Sequence, residues 1–199
     1  MYHSRVNKKV FGIIILLVCA VSLSVPVEAA GTKNKRAHQA YAQQLKKDKE
    51  DFGLNKLAYA YKDLDGNGID ELITYPGFDH ATENIYIYRN GKVKQVAGVS
   101  MGDFEKYYKK NKILYGSRTN MRDYNSTYHE YFKLKGGKLV RKAHMLETSI
   151  YKSGKTESKY KYYVDGKKTT KKKYNSYVKK LLKGDKARYF SKMKWKKYK

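Results

Sequence analysis

Cysteine and proline are both scarce in this chain of 199 residues, which contains one cysteine, Cys19, and two prolines. A single cysteine excludes an intramolecular disulfide and any zinc site built from several cysteines. No stretch rich in proline, glycine and serine divides the chain after residue 29. A single domain over residues 30–199 is therefore expected.

The chain also lacks the long apolar run that a membrane-spanning helix requires. Val10–Val25 is apolar over about 16 residues, whereas about 20 are needed to cross a bilayer. This run follows three basic residues and precedes Val27-Glu28-Ala29, so we predict a signal peptide over 1–29, cleaved after Ala29. The alternatives are an uncleaved anchor and lipid attachment at Cys19. Because the exported chain would have no cysteine, a metal ion would be a useful structural constraint.

Acidic residues are few: 18 Asp and Glu stand against 44 Lys and Arg, which gives a formal net charge of +26. Cleavage of the signal peptide would take three bases and one acid from this total and leave +24. Such a field attracts polyanions over long range. The predicted partners are teichoic acid, anionic lipid or acidic polysaccharide, and nucleic acid stays open as a fourth.

One acidic stretch stands out against this basic background. Asp63–Leu72 reads Asp-Leu-Asp-Gly-Asn-Gly-Ile-Asp-Glu-Leu. Counted from its first residue, it places oxygen donors at alternate positions, as calcium loops do. The predicted calcium ligands are the side chains of Asp63, Asp65, Asn67 and Glu71 and the carbonyl group of Ile69.

Other positions of the loop have different expected roles. Gly68 permits the positive φ that the sharp bend requires, and Asp70 should point away from the ion. Position 12, where an EF-hand carries a bidentate glutamate, is Thr74, so the loop is not a complete EF-hand. The alternative interpretation is a tight Asp/Asn/Gly turn whose carboxylates are solvated.

The motif Asp-x-Asp-Gly-Asn-Gly-x-Asp-Glu-Leu, followed by Ile-Thr, resembles the calcium loops of dockerin-like and integrin-type FG-GAP or VCBS repeats. It is also similar to a group of secreted proteins from Gram-positive bacteria in which one strand enters such a loop and another leaves it. The resemblance covers about Leu57–Val96 and carries no catalytic activity with it. We expect a structural ion, since neutralising three carboxylates would hold the two strands together.

Alternating patterns predict strands on both sides of short turns. The predicted strands are Leu57–Lys62, Glu71–Tyr75, Asn84–Tyr88 and Lys92–Val99. Asn90-Gly91 is typical of a primed hairpin turn. The same design recurs around Gly136-Gly137 and Asp165-Gly166, and Ser153-Gly154 is a further candidate turn.

Helical spacing of apolar residues predicts an amphipathic helix over Ala37–Phe52. A second helix, over about Lys171–Lys183, should be capped by Thr170 and end at Gly184. These elements indicate an α+β fold: a mainly antiparallel β meander of about seven or eight strands with an N-terminal and a C-terminal helix. Two segments fit less well. Met101–Asn111 is open between a helical turn and an irregular edge, and Tyr115–Tyr128 is polar enough to predict a long loop.

The C-terminal region is the most basic part of the chain, since Tyr151–Lys199 holds 19 Lys and Arg and three acids. Alternating basic and aromatic residues suit sugars, headgroups or single strands. A final edge strand with a solvated lysine face explains the pattern equally well. The predicted polyanion-binding residues in this basic aromatic tail, 185–199, are Lys192, Lys194, Trp195, Lys196, Lys197, Tyr198 and Lys199.

No catalytic residues are predicted. His80, His129 and His144 belong to no metal-binding pattern. The leading hypothesis is a secreted, monomeric, calcium-stabilised module that associates with the anionic cell envelope through its basic C-terminal region. The alternatives are an accessory or inhibitory protein that docks an acidic extracellular partner and, third, a hydrolase of envelope polymer.

Overall fold

A computed structural model describes residues 30–53, 57–75, 84–98, 103–120 and 123–199. The predicted signal peptide and His80 lie outside these ranges. In the described residues, two helices and two antiparallel sheets confirm the α+β fold. None of the described helices is both long enough and apolar enough to span a bilayer.

In chain order the elements are α1 (Ala30–Asp51), β1 (Leu57–Lys62), β2 (Glu71–Tyr75), β3 (Asn84–Arg89), β4 (Lys92–Ala97), β5 (Asp103–Tyr108), β6 (Ile113–Asn120), β7 (Asp123–Lys135), β8 (Lys138–Lys152), β9 (Lys155–Val164), β10 (Lys167–Thr169), α2 (Lys171–Leu181), β11 (Arg188–Tyr189), a 3₁₀ turn (Phe190–Lys192) and β12 (Lys196–Tyr198).

Each sheet is mainly a meander. The five-stranded sheet has the order β12-β1-β2-β3-β4, and the seven-stranded sheet has the order β10-β9-β8-β7-β6-β5-β11. Sequential strands are neighbours from β1 to β4 and from β5 to β10. Among the described strands, only β11 and β12 leave this order, because each pairs with a strand that comes much earlier in the chain, β5 and β1 respectively.

Four hairpin turns have the predicted primed geometry. Both residues have positive φ at Asn90-Gly91, Gly136-Gly137, Ser153-Gly154 and Asp165-Gly166. Turns of this type match the right-handed twist of the flanking strands. The prediction of recurring glycine-containing hairpins is therefore confirmed, including the turn at Ser153.

Two hydrophobic cores hold the layers together. The first lies between the sheets and contains Leu64, Ile73, Ile85, Ala97, Phe104, Tyr107, Leu114, Phe132, Leu134 and Phe190. The second lies between α1 and the other face of the five-stranded sheet and contains Ala37, Tyr41, Leu45, Leu57, Leu72 and Tyr86. On the outer face of the seven-stranded sheet, Tyr174 of α2 packs against Tyr162, with ring centroids 5.2 Å apart.

The C-terminal segment connects the two sheets. Arg188 of β11 pairs with Tyr107 of β5, and a few residues later Tyr198 of β12 pairs with Leu57 of β1. Between them, Phe190 is 2% exposed and belongs to the core between the sheets. The chain end is thus an ordered part of the fold, as the edge-strand interpretation of the tail expects.

The prediction of a long loop over Tyr115–Tyr128 is wrong, because its described residues, 115–120 and 123–128, belong to β6 and β7. The strand pattern is hidden since polar groups occupy the inward positions at this end of the sheet. Glu130 is 1% exposed, and its carboxylate lies 2.8 Å from Nε of Arg118. An ion pair here replaces the apolar residues by which a strand is usually recognised.

Two other segments differ from the prediction, and a third begins where it was expected. Met101–Asn111, left open between a helical turn and an irregular edge, contains strand β5, whose pairing with β6 shifts register between Phe104 and Lys106. The first helix begins earlier than Ala37, at Ala30, and ends at Asp51. The second begins at Lys171 as predicted, after Thr170, whose hydroxyl accepts a hydrogen bond from the backbone N–H of Lys173 at 3.3 Å.

We expect replacement of Asp48 to destabilise the fold strongly. Asp48 of α1 is 3% exposed and accepts hydrogen bonds from Thr74 Oγ1 at 2.6 Å and from the Tyr86 hydroxyl at 2.7 Å. Asp48→Ala would leave both buried hydroxyls without their acceptor, at a cost of about 3 kcal/mol in the free energy of unfolding. Urea unfolding measures this, with the exposed Asp51→Ala on the same helix as control. Equal stability of the two variants would contradict the prediction.

Candidate metal centre

The loop between β1 and β2 is shaped by its own short polar side chains. Asp63 Oδ1 accepts a hydrogen bond from Gly66 N at 2.6 Å, and Asp63 Oδ2 accepts one from Gly68 N at 3.2 Å. Asp65 and Asn67 each accept a hydrogen bond from the backbone two residues further on, at 3.1 and 2.7 Å. Gly66 and Gly68 have φ of 74° and 82°, so the chain curls at two points that favour glycine.

The curled backbone brings together three of the predicted ligands. One carboxylate oxygen from each of Asp63, Asp65 and Glu71 lies within 4.8 Å of the others. Asn67 and Ile69 lie beside Asp65 and Glu71 on the wall of one cleft. A group made only of hard oxygen donors suits calcium or magnesium rather than zinc or copper.

Glu71 is the most buried member of this group, with only 2% of its surface exposed. Its Oε2 accepts a hydrogen bond from the backbone N–H of Leu64 at 2.7 Å. Burial raises the pKa of Glu71 to about 8, and the negative charges of Asp65 and Asp63 act in the same direction. A divalent cation among these oxygens would relieve both effects, because it offsets the desolvation and the repulsion of the carboxylates.

The loop is anchored in both cores and against the second sheet. Leu64 is fully buried in the core between the sheets, and Ile69 packs against the core under α1. Lys109, in the turn between β5 and β6, places its Nζ 2.8 Å from Asp63 Oδ2. This ammonium neutralises one carboxylate, and the sequence offers no signal for it, since Lys109 is one of many lysines.

Two loop-region residues point to α1 instead of to the candidate ion. Asp70 Oδ2 lies 3.1 Å from Asn34 Nδ2 and 3.1 Å from His38 Nε2, so its predicted orientation is confirmed. Thr74 is fully buried and donates to Asp48. The place of the closing EF-hand glutamate is therefore occupied by a residue that binds to the helix, and the three carboxylates are the acidic groups that the loop could offer to an ion.

The predicted polyanion-binding residues of the tail divide into two groups. The lysines are exposed, whereas Trp195 and Tyr198 are half-buried. Trp195 Nε1 donates to Phe190 O at 3.2 Å, and the Tyr198 ring lies 6.4 Å from that of Tyr59. The two rings contribute to packing at the sheet edge, so the tail presents charge from a fixed edge strand. The exposed members are Lys192, Lys194, Lys196, Lys197 and Lys199.

A second polar cluster on the outer face of the seven-stranded sheet was not predicted. His129 Nδ1 lies 3.2 Å from the Tyr115 hydroxyl, and its Nε2 lies 3.4 Å from Glu147 Oε2. Burial raises the pKa of Tyr115, and the charge of Glu105 adds to this. Since the phenol is thereby kept protonated, the geometry indicates a hydrogen-bonded chain rather than an activated tyrosinate.

Comparisons with known proteins returned no match, whether to a family model, to a curated protein or to a solved structure.

The raised pKa of Glu71 predicts how stability without metal changes with pH. The folded state holds a proton on Glu71 that the unfolded chain, with an ordinary pKa of 4.5, releases. This contribution is fully present below pH 4.5 and is lost as pH rises to about 8. In a chelator, we expect the titration of Glu71 to lower the free energy of unfolding by up to about 1.4 kcal/mol for each unit of rising pH in this range.

Urea unfolding at several pH values checks this against Glu71→Gln, which keeps an acceptor for Leu64 N but does not titrate. Subtracting the curve of the variant from that of the wild type isolates Glu71 from the other titrating groups. The same pH dependence in both proteins would show that Glu71 is already ionised in the folded state.

Proposed function

We propose that this protein is a secreted, calcium-stabilised module that associates with anionic polymers of the cell envelope, such as teichoic acid, through its basic C-terminal region. The observation that carries the proposal is the cationic surface of residues 151–199, where every lysine is exposed. The carboxylate group of Asp63, Asp65 and Glu71 supports the calcium part.

The charge of this surface is not cancelled by acidic neighbours. Among the described residues, none of the lysines of 151–199 forms an ion pair. Two of the three acids in the region are paired with other bases, Asp165 with Lys142 and Asp185 with Arg188. The uncompensated lysines supply a positive field that a flexible polyanion can follow along the surface.

The hairpin of β8 and β9 extends this surface. Pairing of β7 with β8 reaches Thr148, while β8 and β9 stay paired as far as Lys152 and Lys155. All residues from 151 to 161 are exposed, and Tyr151 and Tyr160 keep 78% and 46% of their surface accessible. Exposed tyrosines among lysines allow contact with sugar rings or an interface in addition to charge attraction.

A structural role for calcium predicts a cation-dependent gain in stability. At a free calcium concentration of about 100 times the dissociation constant, binding to the folded state alone adds about 2.7 kcal/mol. For a chain of this length we expect the thermal midpoint to rise by about 5 to 10 °C relative to a chelator. The double variant Asp63→Ala, Asp65→Ala should lose this rise, which differential scanning calorimetry measures.

The matched control for this experiment is Glu50→Ala, Asp51→Ala, which removes the same charge from exposed positions on α1. The control should keep the calcium-dependent shift. An equal shift in both variants would assign the ion to another site, and no shift in the wild type at millimolar calcium would reduce Asp63–Glu71 to a structural turn.

Binding to envelope polymer should depend on the position of the lysines and not only on net charge. At low salt, replacing Lys194, Lys196 and Lys197 by Gln should weaken co-sedimentation with teichoic-acid-bearing cell walls by about tenfold. The reason is that three charge contacts with the polymer are lost. The control replaces Lys46, Lys62 and Lys94, which are exposed on other surfaces. Walls stripped of teichoic acid should retain little protein. Equal binding by both variants, or to both wall preparations, would contradict the proposal.

A further inference from the structure

A cleft of about 690 Å³ lies directly beside the loop. Its described walls come from five separate parts of the chain: the first turns of α1, the loop itself, and the turns that follow β3, β5 and β7. Asp65, Asn67 and Glu71 line the cleft, so a cation held by the loop would face this space. Thr74 does not close the ligand shell from within the loop, because it is bound to Asp48.

Four basic residues converge on the same cleft. They are Lys33 and Arg36 of α1, Arg89 at the end of β3 and Lys112 in the turn before β6. Among the described residues, Lys33, Arg89 and Lys112 form no ion pair. These four bases outnumber the two acids of the same cleft, Asp65 and Glu71, and an excess of positive charge favours an anion. Arginine supplies planar, paired donors that match phosphate oxygens.

The Gly136-Gly137 turn forms the part of the wall that lies beside the guanidinium of Arg89. A Cβ atom on Gly136 would lie 3.8 Å from Arg89 Nη1, and one on Gly137 would lie 3.7 Å from the same atom and 2.8 Å from Ile87 Cδ1. Both glycines have positive φ. A side chain at Gly137 would crowd the tip of the Ile87 side chain and contact Arg89, so the bare turn leaves space beside the arginine.

We propose that this cleft binds a phosphate group of the anionic polymer, with Arg89, Lys112 and the basic residues of α1 as its donors and the loop cation as an additional contact. This inference rests on the proposed envelope function and gives it a specific site apart from the tail. A phosphate oxygen supplied from the cleft would complete a cation shell that lacks the EF-hand glutamate. Phosphate and calcium should therefore strengthen each other's binding by the same factor.

Isothermal titration calorimetry of the purified protein with glycerophosphoglycerol, a single phosphodiester, tests the site. In calcium we expect one binding site per chain, weakened about tenfold in a chelator and about tenfold by Arg89→Gln, Lys112→Gln. The control Lys46→Gln, Lys47→Gln makes the same charge change at exposed positions of α1 outside the cleft and should bind the diester like the wild type. Thermal midpoints verify that both variants are folded.

The outcomes separate this site from the proposed function. The cleft assignment is overturned and the envelope function stands if the wild type binds teichoic-acid-bearing walls but does not bind the diester. The same conclusion follows if the wild type binds the walls while the cleft variant and the control variant bind the diester equally. If the diester binds in the cleft while the walls are not bound, the phosphate site is supported and the envelope function fails.

Two further measurements distinguish the source of the phosphate. The first is binding to phosphatidylglycerol vesicles. If the protein binds these vesicles through Arg89 and Lys112 but does not bind the free diester, the assignment of a polymer phosphate is overturned in favour of a lipid headgroup. The second is the affinity for sulfate. If the protein binds sulfate as tightly as the diester, the cleft is a general anion site and does not recognise phosphate.

Discussion

The fold depends on how the buried carboxylate of Glu71 is compensated. This residue begins β2 between two hydrophobic cores, is 2% exposed and shares its surroundings with two other acids. A charge in such a place is costly unless a proton or a cation accompanies it. The loop holds the acids together through backbone hydrogen bonds to Asp63, Asp65 and Asn67, so the repulsion cannot be relieved by moving them apart. A cation at this point would join strands that the hydrophobic cores already align.

The C-terminal segment also joins the two sheets. Phe190 enters the core between the sheets, while the short strands before and after it extend one sheet each. Trp195 and Tyr198 pack inward and the tail lysines remain outside. The aromatic residues of this segment therefore provide packing, and the lysines between them present positive charge to the solvent. A polyanion would meet a rigid, lysine-lined edge rather than a flexible tail, and the entropic cost of binding would be smaller.

Local signals in the sequence predicted the elements whose structure is local. The spacing of Asp63, Asp65 and Glu71, the Asn90-Gly91 turn and the Thr170 cap each depend on a few adjacent residues, and all three features are present. Features that depend on tertiary pairing were missed. The strands over Tyr115–Tyr128 were hidden because Arg118 is compensated by Glu130, which is distant in sequence. For the same reason no pattern indicated that Lys109 would reach Asp63 or that Arg89 and Lys33 would face one cleft.

The most direct test of the central claim is an anomalous difference map from a crystal of the protein grown with calcium or with terbium in its place. The account predicts one strong peak among Asp63, Asp65 and Glu71, about 2.3 to 2.6 Å from their oxygens. Such a peak would place the cation at the point where the two strands and both cores meet. A well-ordered loop without a peak, or with the cation bound only elsewhere, would contradict the claim that a metal ion compensates Glu71.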